Sequence, residues 1–316
     1  MRSMHSSARS FVDAVVVSCA VVVFIAGCHS TPKPPTPPPT SSANANVGQW
    51  PEKLADFRFR WTAEPGIDLT AGNAVPLRAY LESWLVVHYT DDVQFGYPGF
   101  QRATPPPIAM GSPDVLDTPY AQREIRESRG RSLFNDPGQR IVGNEELHLL
   151  RMEPLANGFR AFLCDATFNA YKQAPGATQY VPIMSSPGVQ PTDVENMAVW
   201  RIEFSDKDPR VGATPPAAPA GSQEGPLPAP RDDVFGPWFV TGAYHVGGWV
   251  DSDHPGLKPG TPEYDQPFRE AQDAERAMRQ QCLDRYPLNA DERTDRGSAV
   301  LDSAPPVEPA DPGWPE

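Results

Sequence analysis

The stretch ELHLLRMEPLANGFRAFLCDATFNAYK, residues 146–172, decides the fold class. Two runs, Glu146 to Met152 and Phe159 to Lys172, flank Pro154 to Gly158, and the Asn157-Gly158 pair is a strong short-range signal for a hairpin turn. In the second run Phe162, Cys164, Ala166, Phe168 and Ala170 share one face, and Asp165, Thr167 and Asn169 the other. Alternation with period two marks a half-buried antiparallel strand. A lone hairpin is marginal in water, so the chain must supply further strands or a helix to cover its apolar face.

Both are present. Upstream, Trp50 and Leu54 precede Phe57, Phe59 and Trp61, which alternate as in a strand. From Pro76 to Tyr89 the positions Leu77, Tyr80, Leu81, Trp84, Leu85 and His88 form one helical face, with Asn73 placed to cap it and Pro76 in the first turn. Downstream, Ala198, Trp200, Ile202 and Phe204 oppose Arg201 and Glu203, which predicts a strand over Met197 to Phe204. Trp238, Val240, Gly242, Tyr244 and Val246 alternate in another. Thr118-Pro119 opens a short polar helix reaching about Glu127. Thr261-Pro262-Glu263 opens a second, in which Phe268, Ala271, Glu275, Met278 and Cys282 follow at helical spacing until Pro287. One helix followed by antiparallel strands predicts an α+β domain with a curved antiparallel sheet of about four to five strands packed on the helix 76–89.

The 39 prolines and 24 glycines of this 316-residue chain are concentrated outside these elements. Residues 94–117 read as an irregular loop and about 212–231 as a Pro/Ala-rich excursion too poor in apolar residues to fold alone. Residues 291–316 are acidic and Pro-rich, which predicts a disordered tail. The single domain is therefore expected over residues 50–290.

Residues 1–27 have a short basic start with Arg2 and Arg9, an apolar run from Ala14 to Ile25, and the small residues Ala26 and Gly27 before Cys28. The run is shorter than the roughly 20 residues a spanning helix needs. Ile25-Ala26-Gly27-Cys28 resembles the lipobox of bacterial lipoproteins, which implies a signal peptide cleaved after Gly27 and a diacylglycerol on Cys28. A plain cleaved signal peptide with an incidental cysteine is the other reading of the same residues. With acyl chains contributing about 0.8 kcal/mol per buried methylene, two or three chains hold a protein on a membrane. Residues 28–49, beginning His29-Ser30-Thr31-Pro32-Lys33-Pro34-Pro35, then form a stiff polyproline stalk, with Thr31, Thr36, Thr40, Ser41 and Ser42 as candidate glycosylation positions. The expected location is the extracytoplasmic face of the cell membrane, in the cell envelope.

Removing residues 1–27 takes Arg2, Arg9 and Asp13 and leaves 25 basic against 39 acidic residues. Such a surface repels phosphate backbones, which argues against nucleic acid as a partner. Of the four cysteines, Cys19 leaves with the signal peptide and Cys28 takes lipid. Cys164 and Cys282 remain, and in an oxidising compartment they are most simply a disulfide, two buried free thiols being the alternative. Closing that loop stabilises the fold by up to roughly 5 kcal/mol.

The chain lacks a Gly-x-Ser-x-Gly elbow, a phosphate loop, a dinucleotide fingerprint and a His-Glu-x-x-His. No catalytic residue, metal ligand or cofactor is assigned. His88, near Asp91 and Asp92, reads either as an imidazole held by a carboxylate for base chemistry or as a satisfied rim histidine. Asp251-Ser252-Asp253-His254 reads as a solvated turn, since a hard-cation loop needs more oxygens. Trp84, His88, Phe168, Trp200 and Tyr244 fall on faces expected to point inward and are the candidate lining of an apolar ligand pocket; core packing accounts for the same residues. The element order over roughly residues 74–250 resembles the NTF2-like, cystatin-like fold of many exported actinobacterial proteins. Lipobox, Pro-rich stalk and acidic Ala/Pro-rich style together resemble mycobacterial lipoproteins of unknown function. The expected function is a non-enzymatic, lipid-anchored envelope protein binding a partner protein or a small apolar ligand. The alternative is an extracytoplasmic hydrolase or isomerase with an NTF2-like pocket.

Overall fold

A computed structural model describes residues 50–108, 112, 118–123, 125–126, 136, 138–174, 176–186, 191–211, 214–245 and 261–316. Strand β1 (Phe57–Ala63) leads into helix α1 (Ala74–Thr90), followed by the short helices α2 (Phe100–Ala103) and α3 (Tyr120–Arg123). Then come β2 (Arg140–Leu155), β3 (Gly158–Ala166), β4 (Ala170–Gln173), β5 (Val181–Pro182), α4 (Asp193–Asn196), β6 (Met197–Ser205), β7 (Phe239–Tyr244), α5 (Pro262–Arg285) and α6 (Ala290–Ser298). The class is α+β. The sheet runs β5-β4-β2-β3-β6-β7 with antiparallel neighbours, and β1 adds to the other edge of β2 in parallel, Thr62 opposite His148.

Among the described residues the sheet has seven strands rather than four to five. One reason is β5, whose two residues are too few to show a period and pair with β4, while β2 itself starts at Arg140, where Gly143, Asn144 and Glu145 hide the period. Another is the turn at residues 167–169, closed by Ala170 N–H to Thr167 O, which splits the expected strand to Lys172 into β3 and β4. Ala170 consequently packs in the α1-side core, away from Phe162, Cys164, Ala166 and Phe168. The hairpin turn is one residue earlier than its signal: Leu155 pairs with Gly158, so Ala156 and Asn157 form the loop. Gly158 is needed for another reason, since a Cβ there would lie 1.8 Å from Phe204 O of β6.

Both faces of the sheet are covered. Phe57, Phe59, Trp61, Leu147, Leu149, Phe159, Leu163, Trp200 and Phe204 pack on the α1 side. On the other side Phe162, Cys164, Ala166, Phe168, Met197 and Val199 meet Ala271, Met278 and Cys282 of α5. The half-buried strand of the sequence is thus buried on both faces, including Asp165 and Thr167. Thr261 stands at the N-cap of α5 and Pro262 at its first position. Its end is set by Pro287, which holds the preceding Tyr286 in extended conformation (φ −68°, ψ 136°).

Helix α1 is buried nearly all round, not on one stripe. Asn73 makes no side-chain cap there; its own backbone is already helical (φ −70°, ψ −18°). The side of α1 that carries Arg78 and Glu82 is covered by the C-terminal segment. Residues 291–316 are not a disordered tail: α6 is capped by Asn289, Leu301 bridges Tyr180, Asp311 pairs along β1, and Trp314 bridges Leu227 and is 1% exposed. Glu82 accepts from Trp61 Nε1, Tyr97 OH and Trp314 Nε1, each at 2.8 Å. Arg78 donates to the carbonyls of Leu69, Gln223, Pro312 and Gly313, and its guanidinium lies 4.2 Å from the Trp314 ring. A few apolar and aromatic anchors are enough to fix a polar segment when buried polar partners receive it, and composition does not reveal those partners. The stretch around 212–231 is likewise part of the wall, through Gln223 N–H to Thr70 O and Leu227 to Trp314. Among the described residues no helix is long and apolar enough to cross a membrane.

Candidate functional site

The five residues expected to line one pocket are divided between the two faces of the sheet. Trp84, His88 and Trp200 come together on the α1 side, joined by His245. The Trp84 ring stacks on His88 (5.1 Å) and meets Trp200 edge-on (4.9 Å), and His245 stacks on Trp200 (4.3 Å). Phe168 lies across the sheet against Tyr286, and Tyr244 joins the same α5-side cluster. A ligand touching all five would have to pass through the sheet, so the single apolar pocket is corrected. The cause is the alternation itself, since Trp200 and Tyr244 sit on opposite faces of paired strands, with Arg201 opposite Tyr244.

Beneath the stacked rings lies a carboxyl pair, Glu145 and Asp165, that no local pattern in the sequence brings together. Trp200 Nε1 donates to Asp165 Oδ2 (3.0 Å), and Tyr89 OH donates to Glu145 Oε2 (2.8 Å). The remaining oxygens, Glu145 Oε1 and Asp165 Oδ1, meet no hydrogen-bond donor among the described residues. Burial raises both above the ordinary carboxylate range, and the charge of Asp165 pushes Glu145 further. His88 is close enough to Asp165 to offset part of that rise, while Asp92 Oδ1 accepts from Gln94 N–H and Asp91 is the left-handed residue ending α1. Trp84 is 5% exposed and Trp200 1%, so this assembly is packed ring on ring.

On the α5 side an open pocket of about 250 Å³ remains. Its floor is Ala166, Met197 and the Cys164–Cys282 disulfide (S–S 2.01 Å, Cα–Cα 5.7 Å), which ties β3 to α5. The rim is polar. Glu146 accepts from Tyr286 OH and from Asn169 Nδ2 (3.2 Å), and burial together with Glu146 pushes the Tyr286 hydroxyl above its ordinary value. Opposite, Thr62 Oγ1 and His148 Nδ1 are 2.7 Å apart, while His148 Nε2 faces Glu64 Oε1 at 3.5 Å. Arg285 donates to the same Glu64 oxygen and holds that carboxyl below its usual range. Arg60, paired with Asp311 at 3.3 Å, completes the lining.

The signal for these rim residues was present but unpaired. The alternation that buries Phe59 and Trp61 puts Arg60 and Thr62 on the other face of β1, and the same rule puts Glu146 and His148 together on β2. What brings the two sets together is a parallel pairing across 86 residues, which no local pattern announces. Cys28 and Asp251-Ser252-Asp253-His254 lie outside the described residues, as does Val246. Among the described residues no group of three His, Cys, Asp or Glu side chains is placed to hold a metal ion. Compared with known proteins, the chain matches no family model, no curated protein and no solved structure.

Proposed function

We propose that the protein is a lipid-anchored envelope protein, held to the outer face of a membrane through Cys28, that binds a small ligand in the pocket beside the Cys164–Cys282 bridge. The observation that carries the binding half is the pocket: an apolar floor ringed by a few fixed polar groups is the common form of a small-molecule site. The ligand is amphipathic, with its apolar part over Ala166, Met197 and the disulfide and its polar part at Thr62, His148 and Glu146. The lipobox at residues 25–28 and the Pro-rich stretch after it support the anchored half. An NTF2-like cone belongs to the same proposal, supported by a helix that precedes the antiparallel strands, with the ligand moved to the opposite face of the sheet.

Two measurements test it. Metabolic labelling with a radioactive fatty acid should mark the wild-type protein and leave Cys28→Ala unmarked; label in neither sinks the anchor. In a thermal-unfolding screen of small amphipathic compounds, those that raise the wild-type midpoint should leave Pro287→Trp unmoved, because Pro287 is an exposed wall of the pocket. Equal shifts in both proteins would place the ligand elsewhere.

A further inference from the structure

We infer that the pocket is also a hydrolytic site, in which Thr62 is the nucleophile, His148 the general base and Glu64 the residue that positions His148, acting on small carboxylic esters. The inference rests on the proposed ligand pocket and adds a reaction to it.

The three side chains form a row. Thr62 Oγ1 lies 2.7 Å from His148 Nδ1, and His148 Nε2 lies 3.5 Å from Glu64 Oε1. The chemistry asks for the tautomer with Nδ1 bare to accept the threonine proton and the proton on Nε2, a buried nitrogen on the side of the Glu64 carboxylate with no hydrogen-bond partner among the described residues. Register fixes the first pair, since Thr62 and His148 are directly opposed across β1 and β2. Glu64 is held by its own backbone N–H to Leu149 O (3.0 Å) and by the Arg285 guanidinium, so it stays charged and in place. Thr62 bonded to His148, with the Glu64 carboxylate 3.5 Å from the other ring nitrogen, is a nucleophile, base and carboxylate recognised by geometry and role and not by chain order. Thr62 is exposed, at the edge of a cavity whose floor is small and apolar, which suits a short acyl chain. Arg60 lines the same pocket two residues earlier on the same face of β1, its guanidinium held by Asp311 and the Pro309 carbonyl.

The step balances with water as the second reactant. Thr62 Oγ1 bonds to the ester carbonyl carbon as its proton passes to His148 Nδ1. The imidazolium, stabilised by Glu64, returns that proton to the leaving alcohol oxygen as the ester C–O bond breaks. Water then gives a proton to His148 as its oxygen bonds to the acyl carbon, and His148 returns that proton to Thr62 Oγ1 as the acyl C–Oγ1 bond breaks, releasing the carboxylic acid and restoring Thr62.

The test uses the full-length protein with p-nitrophenyl acetate and with a fluorophosphonate probe mapped by mass spectrometry. Thr62 should carry the phosphonate. Hydrolysis should fall roughly 100-fold or more in Thr62→Ala and His148→Asn, and persist in Thr62→Ser. Glu64→Gln should lower kcat with KM unchanged, the mark of a positioning residue. Absence of label on Thr62, or equal hydrolysis by wild type and Thr62→Ala, overturns the activity. Retention by the wild type, but not by Pro287→Trp, of a co-purifying small molecule keeps the pocket standing in that event, so the two failures are distinguishable.

Discussion

Glu145 and Asp165 show how far a single residue's behaviour depends on partners that sequence does not name. Asp165 stands in an alternating strand and Glu145 in a stretch that hides its period, yet both are buried, and burial favours the protonated form of each. Because both are raised, their contribution to stability is fullest below the ordinary carboxylate range, near pH 4, and declines as pH rises toward their folded values, by about 1.4 kcal/mol per pH unit for one retained proton. Glu145→Gln keeps an acceptor for Tyr89 OH and adds a donor for Asp165 Oδ1. Urea unfolding from pH 4 to pH 8 should therefore show a flatter profile for the variant and higher stability than wild type at pH 8. A parallel decline in both proteins would contradict a proton retained by the buried carboxyls.

Among elements, α5 and the hairpin show what was legible and what was not. The stripe Ala271, Glu275, Met278 and Cys282, the Thr261-Pro262 start and the Pro287 stop are local signals, and all correspond to the helix observed. The hairpin was legible in kind but displaced by a residue, because Gly158 serves the close approach of Phe204 O and not a left-handed turn. The parallel β1–β2 pairing was not legible, and with it went the rim of the pocket. With Cys164 on β3 and Cys282 on α5 bonded over 118 residues, reduction should lower stability by about 2–5 kcal/mol. Urea midpoints with and without reductant measure it, and coincident midpoints would show that α5 holds its place by packing alone.

For the whole molecule, the C-terminal segment is the largest departure from the sequence reading. Composition marks residues 291–316 as disordered, yet Trp314 fills a core position and gives its indole N–H to Glu82. Trp314→Ala should cost about 3–5 kcal/mol, since it opens a cavity and removes a donor from a buried carboxylate. Denaturant unfolding checks this, and a loss under about 1 kcal/mol, the scale of a surface change, would mean that the segment adds little to the fold. The segment also contributes Asp311 to the pocket, so fold and proposed site depend on the same buried anchor. The most direct test of the pocket is native mass spectrometry of the full-length protein released gently from the membranes of its host. The prediction is a discrete small-molecule mass excess beyond any lipid on Cys28, present in wild type and missing from Pro287→Trp. An identical mass excess in both proteins, or none in either, would contradict a ligand in the pocket beside the disulfide.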